Sequence, residues 1–216
     1  MLRAVKPLWV SCRRRTIVRA GLWSVGLYEA ETQTTATERN CLARHAHGRK
    51  RLVEIGVFNG VTTLLLRQAM HPDGVLWAID PFPPGRLGFN IDELISRSQV
   101  AKSANGTVEL IKTTGAAAAT WYADRKLPAV DFMFVDGDHS WAGIDADWRG
   151  WRPLIGVGGL IALHDSRSWS GREVTLDSAR YTAEVIRQDG EFEVIDEVES
   201  VTVLRRRNGV GQSCVR

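Results

Sequence analysis

The sequence predicts an α/β protein with a mostly parallel sheet, covered by helices on both faces and closed by a C-terminal antiparallel hairpin. Three observations favour this fold class. Short apolar runs alternate with segments of helical spacing, which is the order of strand–helix–strand units. The length of 216 residues suits one such domain with a buried core. Several apolar runs end in Gly, Asp or His, and parallel sheets place their ligands at the carboxyl ends of strands.

The first half of the chain predicts three strands and two helices. Residues 52–56 are a short apolar run ending in glycine, as in a buried strand, and residues 61–70 carry apolar side chains at helical spacing. The run 75–79 is the second strand, and it ends before an Asp-Pro pair because proline cannot continue a central ladder. Residues 91–104 have helical spacing, and residues 107–112 form the third strand.

The second half continues the alternation and ends in a hairpin. Residues 116–123 form a helix after a glycine, and the apolar run 129–135 is the fourth strand. Helix 141–151 is stopped by a nearby proline, strand 159–163 ends in His-Asp, and residues 176–188 are helical. Two final apolar runs predict the antiparallel hairpin, residues 192–195 and 200–204.

The domain organisation follows from where this alternation begins and ends. Residues 1–40 have no clear period, and we expect an arm or lid outside the main sheet. Residues 41–207 form the α/β domain, and residues 208–216 are expected to be a flexible tail.

The composition is that of a globular protein, with 44% hydrophobic and 25% charged residues. No window approaches the roughly 18 consecutive apolar residues of a membrane span, and the N-terminal apolar pieces are too short for a signal-peptide core. Cys12, Cys41 and Cys214 form no C-x-x-C pair, so neither a zinc site nor a disulfide framework is indicated. We therefore expect a cytoplasmic protein with no membrane partner.

The loop after the first strand, residues 54–63, reads E-I-G-V-F-N-G-V-T-T. Gly56 and Gly60 let the backbone turn tightly and approach a ligand closely, and the helix N-terminus behind them offers free N–H groups to a carboxylate. A dinucleotide site usually has G-x-G-x-x-G, whereas the spacing here is G-x-x-x-G with no third glycine. The loop therefore disfavours NAD.

Asp80 closes the second strand, about 20 residues after the glycine loop. A carboxylate at this place can accept hydrogen bonds from both ribose hydroxyls of an adenosine. The other interpretation is a turn residue before Pro81, a position that Asp often fills. Together with the loop, Asp80 favours an adenosine-bearing ligand without a pyrophosphate.

Four motifs carry a resemblance to a known family: E-I-G-x-x-x-G, I-D-P, F-V-D-G-D-H-S-W-x-G and W-x-P-L-x-x-x-G-G-x-I-x-x-H-D. Over residues 50–205 they resemble the class I S-adenosylmethionine (SAM) methyltransferases, which implies a Rossmann-like fold with a seven-stranded sheet. The nearest branch is that of metal-dependent sugar O-methyltransferases, including enzymes of mycobacterial methylmannose polysaccharides. One departure is Val157, which stands where the family's P-G-G turn has proline.

The resemblance assigns cofactor-binding residues by position. The methionine part of SAM is expected at the first loop, the ribose at Asp80 and the adenine edge at the start of the third predicted helix. Asp136 is a further expected contact, because related folds use it toward the cofactor without metal. The expected cofactor residues are Glu54, Gly56, Asn59, Gly60, Thr62, Thr63, Asp80, Thr114, Gly115, Ala116 and Asp136.

Acidic residues and histidines follow the fourth and fifth strands, namely Asp136, Asp138, His139, His164 and Asp165. An alcohol is a poor nucleophile near neutral pH, so a divalent metal can lower its pKa while a nearby histidine accepts the proton. Hard oxygen ligands with a histidine suit Mg²⁺ or Mn²⁺. Asp138 has an equally good interpretation as a cap of the following helix, and each histidine alone would be an ordinary loop residue.

In the sugar methyltransferases that the chain resembles, the D-x-x-H motif supplies a metal ligand and the base. Carried over, this makes Asp136 and Asp165 metal ligands and His139 the base. His164 stands where an acidic ligand is usual. It could bind the metal, act as the base itself, or leave the site without metal.

Among the eight tryptophans, Trp169 lies in the polar loop after the fifth strand and is a candidate platform for a sugar ring. Trp148 and Trp151 share a helical face with Ile144, which favours a place in the core.

These patterns predict a SAM-dependent O-methyltransferase acting on a hydroxyl of a carbohydrate or glycoside, with Mg²⁺ or Mn²⁺ and a histidine base. The expected partner is a small-molecule or oligosaccharide acceptor, and a homodimer is compatible with the sequence. A metal-independent methyltransferase for a phenol or amine is the alternative. A nucleic-acid-binding module is disfavoured, because basic runs such as 13–15, 49–51 and 205–207 are usually solvated ends of elements.

Overall fold

The computed structural model describes residues 19, 21–23, 25–85, 88–170, 172–173 and 175–208. The basic run 13–15, Cys12, Cys214 and residues 209–216 of the expected tail lie outside the described residues. Within the described part of the chain, no helix has the length and apolar character needed to cross a membrane.

Seven strands form one sheet in the order β3-β2-β1-β4-β5-β7-β6. β1 to β5 pair in parallel, whereas β7 runs antiparallel to both of its neighbours, β5 and β6. This arrangement confirms the predicted fold class, a Rossmann-like class I methyltransferase fold with a C-terminal antiparallel hairpin. The strands are β1 Arg51–Ile55, β2 Val75–Ile79, β3 Thr107–Ile111, β4 Val130–Val135, β5 Ile155–Leu163, β6 Phe192–Val198 and β7 Val201–Arg206.

Helices connect the strands and cover both faces of the sheet. Most bounds agree with the sequence prediction, but the helix predicted over 91–104 ends at Val100, and the one predicted over 176–188 ends at Glu184 before a 3-10 turn. The helices are α1 Ala36–Ala46, α2 Val61–Ala69, α3 Ile91–Val100, α4 Gly115–Asp124, α5 Trp141–Trp151 and α6 Asp177–Glu184, with 3-10 turns at Arg152–Leu154 and Ile186–Gln188.

The strands are apolar toward both faces, as expected for a parallel sheet buried between helices. In β1, Val53 belongs to a core with Trp148 and Trp151, and Leu52 belongs to a second core with Leu42 of α1. The core position predicted for both tryptophans is confirmed. The Trp151 indole N–H also donates to the carbonyl of Gly115 at 2.9 Å, which satisfies its polar atom inside the core.

Helix α1 lies in a region for which the sequence suggested no periodic element. Its start is nevertheless encoded, because Thr35 and Glu38 form a capping box in which each side chain accepts a hydrogen bond from the other's backbone N–H. The helix has weak amphipathic periodicity, so the T-x-x-E pattern was the available signal. Glu38 is also buried, and its carboxylate lies 3.4 Å from His164 at the end of β5.

The strand order reverses between β1 and β4. From β1 the chain continues to β2 and β3 on one side of the sheet, whereas from β4 it continues to β5 on the other side. A crevice forms beyond the carboxyl ends of the strands at such a reversal, and ligands of open α/β sheets bind there. The loops after β1, β2 and β4 all lie at this edge.

Candidate active site

A cavity of about 690 Å³ lies at this edge of the sheet. Its walls come from the loops after β1 and β2, the start of α4, and the segment from the end of β4 into α5. A volume of this size suits a cofactor or drug-sized ligand, for which sites of roughly 300–1,000 Å³ are usual.

Most of the sequence-predicted site residues line this cavity, and the others do not. The residues that line it are Gly56, Thr62, Asp80, Thr114, Gly115, Ala116, Asp136 and His139. The predicted residues that do not line it are Glu54, Asn59, Gly60, Thr63, His164 and Asp165.

Two glycines shape the loop after β1. Gly56 has φ of 89°, and a Cβ atom there would lie 1.9 Å from the carbonyl oxygen of Asp136. Gly60 is the N-cap of α2 with φ of 76°, and its Cβ would lie 2.8 Å from Cα of Ser96. Both positions therefore require glycine, for the left-handed backbone and for close approach of neighbouring chain segments.

Asp80 holds the loop in place. One carboxylate oxygen accepts hydrogen bonds from the backbone N–H groups of Val57 and Phe58 at 3.0 and 3.1 Å. The other oxygen accepts from the N–H of Phe82 at 2.9 Å, as in an Asx turn. The turn interpretation of Asp80 is thus correct, and the carboxylate also faces the cavity.

Asn59 joins the loop to the N-terminal segment. Its fully buried side chain accepts from the N–H of Glu31 at 3.0 Å and donates to Asp92 at 2.7 Å. The neighbouring residues Glu31, Thr32 and Gln33 line the cavity. Sequence reasoning missed these three, because a polar threonine-rich segment carries no periodic signal.

Glu54 is buried in β1, and neither of its carboxylate oxygens has a hydrogen-bond partner among the described residues. Burial raises the pKa of Glu54 to about 8, and the charges of Asp136 and Asp80 act in the same direction. The nearby hydroxyl of Thr63 opposes this shift without reaching hydrogen-bond geometry. Glu54 is therefore a neutral carboxylic acid below about pH 8.

His164 is buried among three carboxylates. Its Nδ1 lies 2.9 Å from Asp136 and 3.7 Å from Asp165, and its Nε2 lies 3.4 Å from Glu38. Burial alone would lower the pKa of His164, but the hydrogen bonds to Asp136 and Glu38 raise it to about 10. The side chain is an imidazolium held between carboxylates. Asp165 has φ of 46°, so the chain bends at the end of the strand. This bend lets the side chains of the neighbouring residues His164 and Asp165 face each other.

This donor set does not fit the expected Mg²⁺ or Mn²⁺ ligands. His164 lies between the carboxylates, with Nδ1 2.9 Å from Asp136 and 3.7 Å from Asp165, so an ion shared by Asp136 and Asp165 would have to displace this contact. The ligand atoms of Asp136, His164 and Asp165 do not all lie within 4.8 Å of one another.

His139 is the histidine that reaches the cavity. It follows β4, lines the cavity with a side chain 28% exposed, and places Nε2 3.6 Å from the Asp136 carboxylate. Its neighbour Asp138 accepts from the N–H of Ser140 at 2.9 Å, while Ser140 itself is the N-cap of α5. Asp138 thus supports the turn before the helix and is not its cap.

Asp147 is a cavity residue that sequence reasoning missed. It lies inside α5, is only 6% exposed, and sits so close to α4 that a Cβ on Gly115 would lie 2.3 Å from its carboxylate. Burial raises the pKa of Asp147 to about 6, with a further contribution from the charge of Asp138. The available signal was an aspartate among the apolar positions of an amphipathic helix beside the site.

A profile of the family described as a methyltransferase domain matches residues 53–166, which is more than half of the chain. The chain belongs to this methyltransferase family. The matched segment contains the loop after β1, Asp80, Asp136, His139 and His164. No curated protein matches the sequence significantly.

Solved methyltransferase structures share the fold of this methyltransferase. The SAM-bound O-methyltransferase TomG of tomaymycin synthesis, from Streptomyces achromogenes, superposes with a TM-score of 0.64 at 15% identity, over 96% of this chain and 92% of that one. Cofactor-bound Rv0187 from MTB has a TM-score of 0.63 at 17% identity, over 89% and 90%. An O-methyltransferase from Bacillus cereus in complex with SAH has a TM-score of 0.61 at 16% identity, over 95% and 94%.

Proposed function

We propose that this methyltransferase transfers the methyl group of SAM to a hydroxyl oxygen, with His139 as the general base. The observation that carries the proposal is the shared cavity. The glycine loop, Asp80, the start of α4 and His139 all line it, so a bound cofactor and a basic side chain would share one cavity.

The cavity wall suggests how SAM binds. The methionine part would lie against the loop at Gly56 and Thr62, where the N-terminus of α2 favours a carboxylate. The ribose would lie at Asp80, whose oxygens have lone pairs beyond those used by the backbone N–H groups. The adenine would lie at Thr114–Ala116, next to the buried carboxyl of Asp147. SAM-bound and SAH-bound relatives of the same fold support this choice of cofactor.

The reaction is an in-line displacement at the methyl carbon. An oxygen lone pair of the acceptor forms the new O–C bond as the C–S bond breaks. The electron pair of the C–S bond goes to sulfur, and the product is S-adenosylhomocysteine (SAH). The acceptor's O–H proton passes to His139. Asp136, 3.6 Å away, stabilises the imidazolium that forms, and the protein aligns the two reacting groups.

The metal prediction fits the structure less well than the cofactor prediction. Mg²⁺ or Mn²⁺ would polarise the acceptor oxygen if bound at Asp136 and Asp165. His164 sits between these carboxylates as a cation of the protein itself. This placement favours metal-independent transfer, which is one feature of the second candidate, a methyltransferase for a small phenol or amine in the same cavity.

The carbohydrate or glycoside acceptor is supported by the sequence motifs. Trp169, the candidate sugar platform, does not line the cavity, and its ring is covered by the guanidinium of Arg172 at 5.2 Å. A sugar that stacks on this face of the ring would have to displace Arg172. The oligosaccharide acceptor, the mycobacterial polysaccharide and the homodimer stay predictions.

The decisive experiment is a screen of acceptors with SAM carrying an isotopically labelled methyl group, read by mass spectrometry. We expect label on the hydroxyl oxygen of a saccharide or glycoside, strongly reduced in His139→Ala. His71→Ala is the matched control, because His71 precedes β2 at the opposite edge of the sheet. Label on nitrogen only would contradict hydroxyl transfer, and labelling of phenols alone would support the second candidate.

A further inference from the structure

A second cluster of metal-binding side chains lies between α1 and the edge strand β6. Cys41 and His45 are four residues apart and therefore share one face of α1. Asp196 faces them from β6, next to a shift in register between Val194 and Asp196 that marks a β-bulge. Bulges re-aim side chains at sheet edges. None of the three ligand residues lines the cavity described above.

The ligand atoms of this cluster converge on one carboxylate oxygen. Asp196 Oδ2 lies 2.8 Å from His45 Nε2 and 3.7 Å from Cys41 Sγ, and all three ligand atoms lie within 4.8 Å of one another. Around tetrahedral zinc, with metal–ligand distances of about 2.0–2.3 Å, neighbouring ligand atoms lie roughly 3.3–3.5 Å apart. The Cys41–Asp196 distance is close to this spacing, the His45–Asp196 pair would have to open by about half an ångström, and Cys41 and His45 lie within 4.8 Å of each other.

The geometry points to a Zn²⁺ site made by Cys41, His45 and Asp196. Sulfur, imidazole and carboxylate are the three ligand types that zinc prefers, and together they disfavour Mg²⁺ and Ca²⁺. His45 and Asp196 are partly exposed, with side chains 17% and 25% accessible, so water can complete the coordination. The sequence gives no zinc motif, because the third ligand comes from a distant strand.

Binding requires the thiolate of Cys41. In the metal-free protein the buried Cys41 side chain donates to Asp196 at 3.7 Å and therefore carries its proton. Zinc would release this proton to solvent as the Zn–S bond forms, so affinity rises with pH. Without metal, Cys41 is a neutral thiol only 2% exposed and therefore a poor target for oxidation.

Arg44 occupies the competing position. Its guanidinium contacts the same Asp196 oxygen and neutralises it, although its own side chain is 63% exposed. Zinc must displace this contact or share the carboxylate. Removing Arg44 should therefore tighten zinc binding, whereas a simple ion-pair cluster would only lose one partner.

Zinc bound at this site would cross-link α1 to strand β6, because two of its ligands belong to the helix and the third belongs to the strand. The other end of the same helix carries Glu38, which accepts from the N–H of Ser200 at 3.0 Å and faces His164. The site would thus stabilise the helix that supports the network behind Asp136, without contacting substrate.

The test uses the full chain, stripped with a chelator and titrated with Zn²⁺ or Co²⁺. We expect one metal per chain after dialysis, a near-ultraviolet thiolate-to-cobalt absorption band, and a higher melting temperature with zinc. Cys41→Ser should abolish the band. His45→Ala, at a partly exposed position, should weaken affinity more than about 100-fold, because even the loss of a residue that only hydrogen-bonds to a metal ligand costs roughly 10–100-fold. Arg44→Ala should bind more tightly, and His47→Ala, an exposed neighbour, should bind as wild type.

Two results would overturn the site. One is a folded wild-type chain that retains no metal and shows no thiolate band. The other is a band that persists in Cys41→Ser, since the metal would then bind another cysteine. If Cys41→Ser does not fold, loss of metal in folded His45→Ala with retention in His47→Ala supports the site, and equal binding by both variants contradicts it.

Discussion

His164 donates from Nδ1 to Asp136 at 2.9 Å, which places a buried cation directly behind the carboxylate that faces His139 in the cavity. On the far side of the ring, Glu38 lies 3.4 Å from Nε2. Burial alone would raise the pKa of Glu38, but His164 and Ser200 lower it to about 2. The network thus orients Asp136, and it connects the cap of α1 to the active-site edge.

The first prediction concerns this network. His164→Ala should lower the free energy of unfolding by about 3–5 kcal/mol, because it leaves buried carboxylates without their cation. Glu38→Gln should destabilise wild type, yet cost much less in the His164→Ala background, where it removes an unpaired charge. Urea denaturation of wild type, the two single variants and the double variant measures the coupling energy between Glu38 and His164. Strictly additive losses would contradict a direct interaction of Glu38 with His164.

The second prediction concerns the cofactor. Asp80→Ala should weaken SAH binding by about 1–3 kcal/mol in calorimetry, the loss usual for a charged hydrogen-bond acceptor. The variant loses both the ribose contact and the hydrogen bonds that hold the backbone of Val57 and Phe58. Glu109→Ala, on the exposed side of β3, is the control. Unchanged affinity in Asp80→Ala would show that the ribose lies elsewhere.

The order of elements could be predicted from the sequence because buried strands and amphipathic helices leave local patterns. The glycine loop was also recognisable, since the backbone at Gly56 and Gly60 has positive φ angles, which favour glycine. The contact between Glu38 and His164 could not be predicted, because it joins a helix cap to a distant strand end. Without that contact, His164 resembles a free histidine, and the sequence favours a metal ligand or base where the fold makes an imidazolium.

The third prediction concerns metal dependence. Turnover of chelator-treated enzyme should persist, and added Mg²⁺ or Mn²⁺ should neither be required nor restore a lost activity. The reason is that His164 already places a positive charge between Asp136 and Asp165. The assay is best run in His45→Ala, so that loss of the zinc proposed at Cys41 does not affect stability during chelation. Strict dependence on Mg²⁺ would show that His164 leaves these carboxylates and a metal takes its place.

The fourth prediction concerns Glu54 and pH. Its pKa in the folded protein is about 8, above the ordinary value of 4.5. Between about pH 4.5 and pH 8, Glu54 is therefore protonated in the folded state and ionised in the unfolded chain. This group's contribution to stability is complete below about pH 4.5 and falls as pH rises toward 8, by at most about 1.4 kcal/mol per pH unit. Glu54→Gln removes the ionisable group. The urea midpoint of Glu54→Gln minus that of wild type should therefore increase as the pH is raised from about 5 to about 8. A difference between the two midpoints that does not change with pH would contradict the raised pKa.

The last prediction separates the two histidines. His139 lines the cavity and is partly exposed, whereas His164 is buried behind Asp136 with both ring nitrogens facing carboxylates. A positioned base contributes roughly 10²–10⁴ in rate, so His139→Ala should lower kcat by that factor. SAH affinity should stay near wild type, because His139 is assigned to the acceptor and not to the cofactor. The acidic limb of the pH–rate profile, which arises when the base is protonated, should disappear. His71→Ala should keep both the rate and the profile. If His139→Ala retains full turnover and the acidic limb, then His139 is not the base, and the proton must leave through water or another cavity residue such as Asp147.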